Sequence, residues 1–208
     1  MLDIRQLACQ RGDRLLFSHL DLTVAPGELW RIAGANGSGK TSLLRLLAGL
    51  AQPAAGEIRW RGEPLARQRE AFHAALLYIG HTPALHDLLT PGENLAFACA
   101  ASGLAATPAR REAALNALGL ARQLELPCQV LSAGQRRRVA LARLALASQR
   151  PLWLLDEPFT ALDVHAVAAL AAQIDAHCAA GGSVIFSSHQ EGGLRTPLRV
   201  LDVEARAR

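Results

Sequence analysis

The chain has 208 residues, 50% of them hydrophobic and 19% charged, with a formal net charge of +4; this suits one folded domain with a substantial core and excludes a disordered chain. Its four cysteines, Cys9, Cys99, Cys128 and Cys178, form no CxxC pair and have no histidine at ligand spacing, which sets aside a zinc site or disulfide framework and leaves reduced thiols packed as small hydrophobes. Met1-Leu2-Asp3-Ile4-Arg5 does not read as a signal peptide, and no apolar run reaches the ~18 residues of a membrane-spanning helix, the richest tract, 95–106, being broken by Ser102 and Gly103.

In chain order, residues 2–8 alternate apolar and polar and predict a strand, and Leu20, Leu22 and Val24 alternate again up to the turn Ala25-Pro26-Gly27. Residues 28–33 predict a third strand running into a glycine-rich loop. Leucines at 43, 44, 46, 47 and 50 then have helical spacing over 41–50, with Gly49 and Pro53 closing the helix. Residues 56–62 predict a short strand between glycines. From about 84 to 148 strand signals give way to Ala, Leu and Arg at helical spacing, punctuated by Pro91, Pro108 and Pro127. This predicts an α-helical subdomain, 84–148, inserted into an α/β nucleotide-binding core made of 1–83 and 149–208. The apolar run 152–155 suits a parallel strand buried on both faces. A helix over 167–180 and strands over 183–188 and 199–203 complete the chain.

Gly34-Ala35-Asn36-Gly37-Ser38-Gly39-Lys40-Thr41 fits GxxxxGK[ST] between a predicted strand and a predicted helix, the context that pattern requires. Glycines let backbone N–H groups wrap a phosphate with no Cβ in the way, and the helix start that carries Lys40, Thr41 and Ser42 adds free donors and a partial positive charge. Lys40 is the only lysine in a chain that otherwise uses arginine; its compact ammonium suits the β- and γ-phosphates. The Thr41 hydroxyl suits Mg²⁺. ATP with Mg²⁺ is the expected cofactor pair, although the loop alone leaves the choice among P-loop families open.

Pro151-Leu152-Trp153-Leu154-Leu155-Asp156-Glu157-Pro158 is an apolar strand ending in two carboxylates. Asp156 is placed to bind Mg²⁺ through water and Glu157 to polarise an attacking water as general base. Leu131-Ser132-Ala133-Gly134-Gln135 has the spacing of a capping box, Ser132 at the N-cap and Gln135 three residues on. Followed by an Arg-rich helix, it also resembles the LSGGQ signature of ABC ATPases, with Ala133 where the commonest form has glycine.

That resemblance covers essentially the whole chain. It implies the P-loop NTPase fold of the ABC type, a mixed sheet with N-terminal antiparallel strands plus the inserted helical subdomain. It also implies a homodimer in which Ser132, Gln135 and the N–H groups of Ala133 and Gly134 on one subunit meet the γ-phosphate of ATP held by the other. Thr160-Ala161-Leu162-Asp163 resembles the D-loop, with Asp163 crossing the dimer interface, and Ser187-Ser188-His189 resembles the switch histidine, with His189 touching the γ-phosphate. Two positions depart from the family. His81, in Leu77-Tyr78-Ile79-Gly80-His81-Thr82-Pro83, stands where a glutamine senses Mg²⁺ and the membrane partner; a neutral imidazole can contact Mg²⁺-bound water, with shorter reach and pH sensitivity. Arg11 stands where an aromatic residue stacks on adenine, and a guanidinium can stack there too.

These departures, with the tract 77–95, resemble the ATP-binding subunit of the cytochrome c maturation system, historically called the haem exporter. The family implies separate transmembrane permease subunits and a peripheral position on the cytoplasmic side of a bacterial inner membrane. Alternatives are an ABC ATPase serving another substrate, a nucleotide-sensing switch, or a soluble ABC ATPase acting on nucleic acid or ribosomes. The run Arg136-Arg137-Arg138 is expected to be a solvated helix face, so no nucleic-acid partner is expected.

Overall fold

The computed structural model describes residues 1–190 and 192–206. Its elements, in order, are β1 (Leu2–Arg11), β2 (Arg14–Val24), β3 (Leu29–Ala33), α1 (Lys40–Leu47), β4 (Ala55–Trp60), β5 (Glu63–Pro64), α2 (Arg69–Ala75) and β6 (Leu76–Ile79). Then come α3 (Pro91–Ala101), α4 (Pro108–Ala117), α5 (Ala133–Leu141), α6 (Arg143–Leu146), β7 (Leu152–Asp156), α7 (Val164–Ala179), β8 (Ser183–Ser187) and β9 (Leu198–Asp202). The expected antiparallel and parallel strands are both present, as two sheets. One is antiparallel in the order β2-β1-β4-β5; the other is parallel in the order β6-β7-β8-β3-β9. No strand lies between β6 and β7, where the prolines act as helix starters: Pro91 and Pro108 follow the capping residues Thr90 and Thr107.

The parallel sheet divides the core by residue parity. Leu152 and Leu154 of β7, with Leu76 and Ile185 of its neighbours, join α1 and the antiparallel sheet in one cluster. Trp153 and Leu155, with Leu77, Ile79, Val184 and Phe186, join α3–α7 in the other. Every residue of β7 is buried, as the continuous apolar run requires when side chains alternate between two covered faces. Truncating Leu154 to Ala is worth roughly 2–5 kcal/mol.

The simple alternation expected over 2–8 is interrupted. The partners of β1 on β2 shift between Ile4↔Leu22 and Leu7↔Leu20, and Gln6 takes a left-handed φ of 49°. The bulge is pinned from across the strand: Gln6 donates its backbone N–H to Asp21 Oδ1 at 2.7 Å and its side-chain amide to Asp21 Oδ2 at 2.5 Å. One extra residue changes the facing parity, so Leu2 and Ile4 before it and Leu7 and Cys9 after it all enter the same core. All four cysteines are buried and free.

His177 of α7 stacks on Trp153 with centroids 3.6 Å apart and planes 4° from parallel. The ring lies against Gly182, where a Cβ would come within 2.2 Å of Nε2. Burial pushes its pKa down from 6.5 to about 4, opposed by a hydrogen bond with the Ser148 backbone. The folded state therefore holds a neutral ring and the unfolded chain a titrating one. The stabilisation is complete above pH 6.5 and is lost as pH falls through the window from 6.5 to about 4, at a cost of roughly 3 kcal/mol. Urea unfolding of His177→Phe between pH 7 and pH 4 is expected to show a flatter pH dependence than the wild type; equal slopes would exclude this origin.

Candidate active site

The carboxyl ends of β6, β7, β8 and β3 lie side by side, and the segments that follow β6, β7 and β3 contribute to one cleft of about 430 Å³. The β3–α1 loop lines it with Asn36, Gly37 and Gly39 and the first turn of α1 with Lys40, Thr41 and Ser42; the segment after β6 adds His81, and the residue after β7 is Glu157. The β1–β2 hairpin closes a further side with Arg11, Arg14 and Leu16. Arg11 and His81, the two residues that depart from the family pattern, thus share the cleft with the phosphate loop.

Gly39 caps α1 at φ 106°, and a Cβ there would meet Leu16 Cβ at 3.2 Å and Phe17 Cδ1 at 3.3 Å. Glycine therefore lets the loop lie directly on β2. Lys40 is only 8% exposed, and its ammonium donates to the Gly34 carbonyl at 2.8 Å and the Ala35 carbonyl at 3.1 Å. His189, just past β8, places Nε2 at 3.5 Å from Lys40 Nζ, 3.1 Å from Asn36 Oδ1 and 3.7 Å from Glu157 Oε1. The loop, the carboxylate and the histidine therefore form one connected group. The Ser38 hydroxyl is buried without a hydrogen-bond partner among the described residues.

At the end of β7, Ser187 of β8 holds both carboxylate residues. Its hydroxyl donates to Asp156 Oδ1 at 2.7 Å, and the Glu157 N–H donates to Ser187 Oγ at 2.9 Å and the Ser187 carbonyl at 3.1 Å. Asp156 is 1% exposed, and its Oδ2 has no hydrogen-bond partner among the described residues. A free, buried carboxylate oxygen at the end of a strand that leads into a cleft lined by Thr41 fits the oxygen ligands of a hard divalent cation. Glu157 has φ 50°, a left-handed conformation unusual for a residue with a side chain.

The signature segment does not line this cleft. Ser132 caps α5 as expected: the Gln135 N–H donates to Ser132 Oγ at 3.2 Å, and the Ser132 N–H donates to Gln135 Oε1 at 2.8 Å. Ala133 and Gly134 form the first turn. A Cβ on Gly134 would stand 2.5 Å from the Ala161 carbonyl oxygen, so the helix start and the 160–163 loop touch within one subunit. Asp163 accepts from the Ala166 N–H at 2.8 Å and so caps α7, which starts three residues before the expected 167. This hydrogen bond from the Ala166 N–H is the main cause holding its carboxyl below its usual value.

The expected solvated face at Arg136-Arg137-Arg138 is corrected. Arg136 bonds the Cys128 carbonyl at 2.8 Å and pairs with Asp87 at 2.7 Å. Arg138 donates to the Leu118 carbonyl at 3.2 Å and lies 3.7 Å from Asp163. Arg137 is 4% exposed. Nothing in a helical run of arginines marks one as buried, because its acceptors come from distant strands. Arg14, too, was not singled out by sequence; it enters the cleft because the hairpin pairs it with Arg11.

The ABC transporter family profile matches residues 17–160, and the chain belongs to that family. It is 61% identical over 203 residues, 98% of this chain and 95% of the relative, to the cytochrome c biogenesis ATP-binding export protein CcmA of Aromatoleum aromaticum. The protein of that name from Pseudomonas putida is 56% identical over 186 residues, covering 88% of this chain and 86% of the relative. Among solved structures, an ATP-binding subunit of an ABC transporter superposes with a TM-score of 0.84 at 28% identity, over 98% of this chain and 87% of that one. A dimeric bacterial ABC transporter cassette superposes with 0.80 at 25% identity, over 98% and 95%.

Gly134→Ala is expected to force the Ala161 carbonyl aside, at a cost of about 1–3 kcal/mol for overpacking. Urea unfolding checks this; a variant as stable as wild type would show that the contact yields freely.

Proposed function

We propose that the chain is the ATP-hydrolysing subunit of a complex for c-type cytochrome biogenesis, of the kind historically called the haem exporter. It works as a homodimer docked on separate transmembrane subunits, at the cytoplasmic face of a bacterial inner membrane. The observation that carries the catalytic reading is the convergence of Lys40, Thr41 and Glu157 on one cleft, with His189 bridging loop and carboxylate. The near-full-length similarity to cytochrome c biogenesis ATP-binding export proteins supports the narrower assignment. No helix among the described residues is long and apolar enough to cross a membrane, which is compatible with separate membrane subunits.

In this reading Lys40 exchanges the Gly34 and Ala35 carbonyls for β- and γ-phosphate oxygens, while backbone N–H groups of 35–42 cradle the phosphates. Thr41 and Asp156 hold Mg²⁺, which when bound neutralises charge on the phosphate oxygens. Glu157 accepts the proton of the attacking water, and His189 contacts the γ-phosphate. His81 takes the place of the sensing glutamine, and Arg11 stacks on the base. Ser132, Ala133, Gly134 and Gln135, with Asp163, serve the nucleotide of the second copy, since they lie off the chain's own cleft. Residues 84–148 are the helical unit that faces the membrane partners, through the stretch near 81–100.

Glu157→Gln is expected to lower hydrolysis by about 10²–10⁴-fold while an ATP-bound dimer accumulates in size-exclusion chromatography; hydrolysis at the wild-type rate would refute the base assignment. Lys40→Ala is expected to abolish ATP binding in calorimetric titration, and unchanged affinity would refute its role. A mild-detergent pull-down from membranes should recover membrane subunits. Recovery of the chain alone would count against the membrane-complex reading.

A further inference from the structure

Glu157 carries backbone strain that something must hold. Its N–H is fixed by Ser187; its carbonyl is fixed by Arg137, whose Nη2 donates to it at 2.9 Å and to the Asp156 carbonyl at 2.5 Å. The other end of the same guanidinium, Nη1, donates to the Gly80 carbonyl at 2.7 Å and the His81 carbonyl at 3.2 Å. One buried cation thus clamps the backbone at the ends of two adjacent parallel strands, at both residues the cleft takes from them. Desolvation is the main influence on this arginine, pushing its pKa down, and the Asp156 and Glu157 carboxylates push it back up. Arg137 sits in the second turn of α5, behind the capped start at Ser132.

We propose that Arg137 is a positioning residue for hydrolysis: its planar fork holds the strained Glu157 peptide, and the His81 peptide beside it, at a fixed distance from the signature helix. The inference rests on the reading of Glu157 as general base. It extends that reading by giving α5 a second task, since the helix offered to the neighbouring copy is bolted to the hydrolytic carboxylate of its own cleft. Only a guanidinium has the fixed, divergent donors to reach two pairs of carbonyls at once; a lysine ammonium reaches one pair.

The test compares Arg137→Lys, Arg137→Gln and Glu157→Gln in the full-length chain, extracted with its membrane partners in mild detergent. Because a displacement near 1 Å at a reacting group costs on the order of 10²-fold, Arg137→Gln is expected to lower kcat about 100-fold. By the same argument Arg137→Lys lowers it about 10-fold, with KM for ATP within about twofold in both. Circular dichroism of the same samples reports the folded fraction, and the milder Lys variant decides if the Gln variant does not fold. Wild-type kcat in Arg137→Lys, or a loss that only tracks unfolding, overturns the proposal while an inactive Glu157→Gln leaves the base assignment standing. An active Glu157→Gln overturns both.

Discussion

A strand buried on both faces of a parallel sheet has room for polar side chains only at its ends. In β7 five consecutive residues are buried, and the first carboxylate comes at the fifth. The neighbours β6, β8 and β3 run in the same direction, so the polar residues that follow each strand are delivered to one edge. The cleft is the consequence. Its residues are far apart in sequence because the strands are, and near in space because carboxyl ends in a parallel sheet must neighbour one another.

The buried arginines at the two ends of this sheet donate to peptide carbonyls. Arg137 donates to four of them. Arg150, also buried, donates to the carbonyls of His73, Leu76 and Ser102 and ties the start of β6 to the end of α3. Carbonyls at strand and helix ends lack partners of their own, so a guanidinium there satisfies acceptors that would otherwise be costly to bury. At Asp156 and Glu157 the acceptors that Arg137 takes are the backbone carbonyls.

What could be read from the sequence was local chemistry: the glycine-rich loop before a helix, the apolar strand ending in two acids, and the capping box at Ser132, which forms as its spacing requires. What escaped was set by distant partners. The bulge at Gln6 depends on Asp21 across the hairpin, and α7 begins early because Asp163, assigned from sequence to an interface, caps the helix. The short helix α2 lies between strands in a tract with no periodic signal long enough to announce it. Arg137 looks like its two exposed-seeming neighbours until the ends of β6 and β7 are brought to it.

The solitary lysine has a practical side. Lys40 supplies the only side-chain amine in the chain, and it is shielded by the loop that it braces. Acylating reagents, which discriminate lysine from arginine, therefore have a single internal target, and their uptake monitors how open the phosphate cradle is. Arginine everywhere else keeps the chain cationic and leaves an N-terminal α-amine as the competing site of acylation.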